Sequence, residues 1–330
     1  MSRSTALATV AAVVLVVFAL FVGGGAARRQ TAARPTASVV PSTAAQPTPT
    51  EPPDTGPLVF LQPLSAGCAA GDGVYVVSDG GGIGRFDGDS WQLIDPTLRS
   101  LVAAACRGSQ LVAVGGAGTV VTIDDEARSI RSDAVQLDDL RAIGLVPDGA
   151  LAAGHRGSVV RQTAAGWFPH AAGLTEDFEG IAAFGALSAW AVGADGATLR
   201  LEETGWRPVA SGTTVTLRAV AGARIDDVIA VGDAGTILRF RQGWEARPIR
   251  STAAFRAVLV SGGTSWIVGD GGSVVRLDGD RETVVDLGTT CTLRSVFAQR
   301  GMIWIVGSDG THAAVWRIAD GATRQWGACP

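Results

Sequence analysis

A seven-bladed, all-β propeller is predicted by three features of this 330-residue chain. The first is a repeat of an apolar run, a small residue and a tight Gly-containing turn. Its seven copies begin at Val77-Ser78, Val114-Gly115, Ala153-Gly154, Val192-Gly193, Val231-Gly232, Val268-Gly269 and Val306-Gly307. The second is their spacing: the second residues of successive copies lie 37, 39, 39, 39, 37 and 38 positions apart. A fixed period near 40 with short strands means radial or solenoid repetition. The third is composition: 47% hydrophobic and 18% charged suits twisted sheets that are apolar on both faces and must stack on neighbours.

Taken from the N-terminus, the chain opens Met1-Ser2-Arg3 and reaches a strongly apolar stretch, Ala6 to Val22, followed by small residues through Ala27. That length is just enough for a spanning helix. Residues 1–27 therefore read as a signal-anchor, with cleavage at Gly24-Gly25-Ala26 as the alternative. The flanking arginines point the wrong way for export, but long downstream domains translocate largely regardless of charge. Residues 28–57 form the next segment, and from residue 30 on they hold seven of the fourteen prolines, mixed with Thr, Ala and Ser. Such a stretch cannot bury a core and favours extended polyproline II. It is expected to be a disordered stalk.

Residues 58–330 are the expected propeller, each unit supplying four strands. The first strand follows a Leu-Arg-Ala-Val type: Leu98-Arg99-Ser100-Leu101, Leu140-Arg141-Ala142-Ile143, Leu217-Arg218-Ala219-Val220, Phe255-Arg256-Ala257-Val258 and Leu293-Arg294-Ser295-Val296. The second strand runs into the Gly turn, as in Trp266-Ile267-Val268. The third leaves it, as in Ile237-Leu238-Arg239-Phe240. The fourth is marked by Trp91, Trp167, Trp206 and Trp244. β-rich runs joined by Gly/Asp turns are hairpin signals, and the turn glycines are read as meeting a demand for positive φ. Trp190, Trp266 and Trp304 share one second-strand position, and repeated aromatics of this kind are read as packing between blades.

Four cysteines follow the repeat: Cys68 and Cys106 after the first strand of two blades, Cys291 and Cys329 after the fourth strand of two others. Pairing Cys68 with Cys329 would cross a strand length of roughly 20 Å, against the ~6 Å between Cα atoms that a disulfide allows. The expected bridges are Cys68–Cys106 and Cys291–Cys329, two staples between blades near the closure of the ring. An even count also suits an oxidising compartment. No CxxC or HxxxH spacing is present, so no structural zinc is expected.

The pattern Val231-Gly232-Asp233-Ala234-Gly235-Thr236-Ile237-Leu238-Arg239-Phe240, then Gly243-Trp244, and again residues 268–277, resembles exported bacterial propellers with BNR-like repeats, including relatives of the photosystem II assembly factor. The resemblance covers 58–330 at the level of the repeat. The Asp-box of BNR repeats is only approximated, by Asp87-Gly88-Asp89-Ser90-Trp91. Members of that group bind proteins, so the resemblance implies a scaffold.

Chemistry is sparse. Sialidases on such folds use a Tyr nucleophile, but the one tyrosine, Tyr75, falls in the aromatic packing column. Glu176-Asp177 and Glu179 suggest acid/base work or a solvated rim. Asp124-Asp125-Glu126 and Asp138-Asp139 lack the calcium-loop pattern. What rises above packing is the first-strand arginine: Arg99, Arg141, Arg218, Arg256 and Arg294 share a column, with Glu179 in the fourth blade and Gln62 in the first. Around a central channel, guanidiniums would attract an acidic ligand. The competing role is structural, each Arg bonding a turn carbonyl or a turn acid such as Asp233 or Asp270 of a neighbouring blade.

A net charge of −4 gives no field for nucleic acid. The resulting reading is a non-enzymatic scaffold or assembly factor, held at the membrane by its N-terminal helix with the propeller on the exported side. No cofactor is expected, and the partner is an envelope protein or an acidic peptide segment. The alternatives are a glycan- or small-anion-binding module and an envelope hydrolase built from rim loops. A period of 37–39 residues leaves no room for the long insertions that a hydrolase of this kind uses, and a secreted form after cleavage is the alternative to anchoring.

Overall fold

Every blade is one uninterrupted stretch of chain. The computed structural model describes residues 63–96, 99–124, 129–135, 138–170 and 174–330. The expected anchor, stalk and Gln62 lie outside them. Among the described residues no helix is long and apolar enough to cross a membrane.

Seven four-stranded antiparallel sheets follow one another, each with its strands in sequence order. Blade 5 is typical: Leu217–Arg224, Asp227–Gly232, Ile237–Phe240 and Trp244–Ala246. The seven innermost strands are Leu64–Ala70, Leu101–Arg107, Leu140–Val146, Phe178–Gly185, Leu217–Arg224, Phe255–Ser261 and Thr292–Gln299. Contacts between the first and last of these close the ring. Among the described residues no strand crosses that seam; blade 1 is built from 64–96 and blade 7 from 292–328.

In blades 2 to 6 the first and last glycines of the turn answer to different demands. Gly193 is extended at φ −170°, a conformation open to any residue, yet a Cβ there would stand 2.0 Å from the carbonyl oxygen of Asp177. Gly196 has φ +71° and would meet the carbonyl oxygen of Thr213 at 2.0 Å. Positive φ thus explains only the last glycine of the turn, while the first is required by close backbone approach. Asp195 precedes Gly196 at φ +52°, and Ala197 N–H donates to Ala194 O at 2.9 Å. Two left-handed residues closed by that bond make a type I′ hairpin, whose twist matches the strands.

The aromatic columns pack between blades, as the repeat implied. Second-strand aromatics lie on the following blade: Tyr75 among Leu111 and Ala113, Trp190 among Leu217, Val228 and Phe240, and Trp266 among Val296, Ile305 and Trp316. Fourth-strand tryptophans lie on the preceding blade, so Trp244 meets Trp190 edge-on at 5.1 Å. At the closing seam Trp304 and Trp326 stack at 5.4 Å, with Phe86 of blade 1 5.0 Å from Trp326.

Both disulfides form as expected, with Cα–Cα distances of 5.5 and 6.0 Å. Cys68 and Cys106 lie within, not after, the inner strands of blades 1 and 2. Cys329 directly follows the outer strand of blade 7, Ala322–Ala328, and bonds Cys291 in the segment leading from blade 6 into blade 7. Neither bridge spans the seam between blades 7 and 1.

Candidate functional site

The inner strands surround a cavity of about 700 Å³. Its mouth is set by the second residue of each inner segment, the one that follows the apolar residue paired with the turn. The pairs Leu101↔Gly115, Leu140↔Gly154, Leu217↔Gly232 and Phe255↔Gly269 fix this register. In blade order the ring reads Ser65, Val102, Arg141, Glu179, Arg218, Arg256 and Arg294, and all seven line the cavity.

This corrects the expected column in two blades. Arg99 is exposed and sits two residues before the strand that starts at Leu101. The run Leu98-Arg99-Ser100-Leu101 imitates the motif three residues early. The true register is fixed by Gly115, where a Cβ would lie 1.8 Å from the carbonyl oxygen of Ser100. In blade 1 the ring position is Ser65, not Gln62.

Opposite each ring residue stands the residue after the first turn glycine: Asp79, Gly116, His155, Ala194, Asp233, Asp270 and Ser308 in the same order. Read together, the two columns decide which charges remain free. Arg218 donates from Nε and Nη2 to the two oxygens of Asp233 at 2.6 and 2.7 Å. Arg256 does the same to Asp270 at 2.8 and 2.7 Å. These bidentate pairs lie within one blade rather than between neighbours. The hydrogen bond from Arg256 holds the Asp270 carboxyl below the usual carboxylate range, and Asp270 raises Arg256 in turn. Arg141 donates from Nε to His155 Nε2 at 2.9 Å. His155 Nδ1 lies 3.8 Å from Asp139.

Two blades carry a ring charge with nothing in the turn column to answer it. Glu179 faces Ala194, and Arg294 faces Ser308. Among the described residues neither Glu179 nor Arg294 has a hydrogen bond or ion pair, and Arg294 is exposed. The mouth is therefore not a ring of five cations: blades 5 and 6 are internally neutralised, and blade 7 offers a bare guanidinium.

The other acids singled out in the sequence secure turns. Asp177 accepts from Arg156 N–H at 2.8 Å and Asp139 from Ala117 N–H at 2.9 Å, each capping the turn of the preceding blade. Glu176 accepts from Thr175 N–H. Tyr75 is fully buried. Asp125 and Glu126 lie outside the described residues. Among the described residues no cluster of three or more His, Cys, Asp or Glu side chains is arranged to hold a metal.

A second arginine column was not singled out in the sequence. Arg85, Arg161, Arg200, Arg239, Arg276 and Arg317 sit opposite the second-strand aromatic position. Several lie over rings: Arg200 is 5.7 Å from Trp190, Arg276 5.6 Å from Trp266, and Arg317 5.5 Å from Trp326. Others pair with acids, such as Arg239 with Asp227 at 3.0 Å. Cation–π contact and pairing make this column structural. Its signal was the recurrent Arg in runs such as Ile237-Leu238-Arg239-Phe240.

No family model matches the chain, and no curated protein matches it. Solved structures do. YCF48 bound to D1 peptide superposes with a TM-score of 0.63 at 14% identity, covering 78% of this chain and 93% of that one. YCF48 from Cyanidioschyzon merolae gives 0.60 at 13% identity, covering 75% and 93%. The WD40 β-propeller domain of Doa1 gives 0.67 at 11% identity, covering 78% and 93%. What they share with this chain is the propeller fold. At such identities nothing finer follows from the likeness, and function must be argued from the site.

Proposed function

We propose that this protein is a non-enzymatic interaction scaffold that takes an acidic polypeptide segment at the mouth of its central channel. The observation that carries the reading is Arg294, an exposed guanidinium with no partner among the described residues, at the rim of a cavity of about 700 Å³. Arginine presents a rigid fork of donors that matches a carboxylate, and the equivalent side chains in blades 5 and 6 display that match with Asp233 and Asp270. That a propeller of this fold has been solved with a bound peptide supports a peptide or protein ligand. The same reading places the propeller on the exported side of a membrane, tethered by the apolar stretch Ala6 to Val22. Two disulfides and no free cysteine among the described residues favour an oxidising compartment.

The test is photo-crosslinking from the full-length protein in native membranes, with a benzophenone amino acid at Val102 in the mouth or at Phe168 on an outer strand. A defined polypeptide captured from position 102, absent from position 168 and lost in Arg294→Glu, is the expected result. Identical capture from both positions, or capture indifferent to Arg294→Glu, overturns the reading. Alkaline phosphatase and reporter fusions at residue 63 test the membrane orientation separately.

A further inference from the structure

The paired columns at the mouth form a series within one molecule. Three blades carry Arg opposite a turn residue able to hold it: Asp233 in blade 5, Asp270 in blade 6 and His155 in blade 3. The first two clamps are carboxylates. The third is an imidazole, which can hold Arg141 only while the ring nitrogen facing it carries no proton.

The hydrogen bond in blade 3 defines the protonation state it needs. Arg141 Nε–H can only donate, so at 2.9 Å His155 Nε2 must accept with a free lone pair. The proton of the neutral ring is then on Nδ1, on the side of Asp139 Oδ2 at 3.8 Å. A proton taken from solvent at Nε2 turns that acceptor into a donor. The bond to Arg141 is lost and two cations stand about 3 Å apart, where like charges repel. His155 is about 30% exposed, so solvent reaches it, and Asp139 remains to receive the Nδ1 proton. The other charged groups near this turn are committed elsewhere. Asp177 holds Arg156 N–H, the Arg156 side chain pairs with Asp138, and Glu176 holds Thr175 N–H. Glu179 holds the next blade's ring position, with no bond to Arg141.

We infer that His155 makes Arg141 a pH-gated member of the mouth: clamped while the imidazole is neutral, released toward the channel once it is protonated. This rests on the reading of the mouth as a carboxylate-binding site and adds its regulation. At neutral pH the mouth offers one free guanidinium, Arg294 on blade 7. In mild acid it offers a second, on blade 3.

The experiment uses the full-length protein in detergent and a fluorescein-labelled hexaglutamate peptide at fixed ionic strength. The wild type is expected to bind the probe about tenfold more tightly at pH 5.5 than at pH 7.5, the effect of one charge-assisted contact. His155→Asp, which installs the clamp of blades 5 and 6, is expected to hold the weak affinity at both pH values. His155→Ala, which removes the clamp, is expected to hold the tight affinity at both. A wild type without pH dependence, or a His155→Ala protein that keeps it, overturns the gate. Absence of any hexaglutamate binding counts against the function of the mouth, and the gate is then judged directly. The Arg141 Nε–H resonance, assigned with Arg141→Lys, is expected to be visible at pH 8 and to be lost as His155 titrates. A resonance that stays unchanged through that titration overturns the gate on its own.

Discussion

Removing either disulfide should weaken the propeller by the same amount, because the two close loops of the same length. Each joins residues 38 positions apart. For such a loop the lost closure entropy of the unfolded chain is about 13 cal/mol/K, or about 4 kcal/mol at 25 °C. The sulfurs removed are similarly buried, with Cys68 6% and Cys291 1% exposed, so cavity costs do not separate the variants. The loops do not overlap and the sites share no partner, so the two effects should add. The assay compares Cys68→Ala/Cys106→Ala, Cys291→Ala/Cys329→Ala and the fourfold variant in guanidinium, followed by tryptophan fluorescence. Each pair should lose about 4 kcal/mol and the fourfold variant about 8 kcal/mol. At about 2–4 °C per kcal/mol for chains of this size class, each pair should lower Tm by about 8–16 °C. Losses differing by more than about 2 kcal/mol would refute loop length as the governing quantity.

Four further outcomes follow from the packing and the charges. Gly193→Ala, whose Cβ would lie 2.0 Å from a backbone carbonyl, should cost about 1–3 kcal/mol. Gly243→Ala, with open space around it, should be neutral or stabilise by about 0.4–1 kcal/mol. Equal effects in chemical denaturation would undo the close-approach argument. Trp326→Ala removes a fully buried ring from the closing seam and should cost about 3–5 kcal/mol, a loss below about 1 kcal/mol being incompatible with a seam held by side chains. Asp270 has a folded-state value below 3.8, chiefly through Arg256, so its contribution is complete above that value and disappears as pH falls through the lower one. Asp270→Asn should flatten this acid limb in a pH series of unfolding midpoints. Burial lowers His170 from 6.5, so its contribution is complete above pH 6.5 and lost as pH falls through its folded value. An NMR titration of His170 centred above 6.5 would contradict this.

The architecture was legible because every blade repeats the same instructions. An apolar run and a glycine at a fixed offset recur seven times, aromatics at two further offsets recur in several blades, and an error in one copy is corrected by the rest. The mouth was harder to read. Leu98-Arg99-Ser100-Leu101 carries the motif's letters three residues early, and only the backbone contact at Gly115 rejects it. The state of each Arg depends on a partner 14 or 15 residues away across a hairpin. A single column, read alone, overstated the positive charge. Setting the ring column beside the turn column would have singled out Arg294 and Glu179, because Ser308 and Ala194 cannot answer them.

The staple between blades 1 and 2 also has a mechanical meaning. A pull on the chain at residue 63 enters the innermost strand of blade 1, beside a seam that no strand of the described residues crosses. Five residues later it reaches Cys68, and the bond to Cys106 passes the load into blade 2. The 38-residue stretch behind that bond cannot lengthen, which hides on the order of 130 Å of contour at ~3.4 Å per residue. Under tension the oxidised protein would thus yield in a short first step and then stop, whereas the reduced protein would pay out a whole blade.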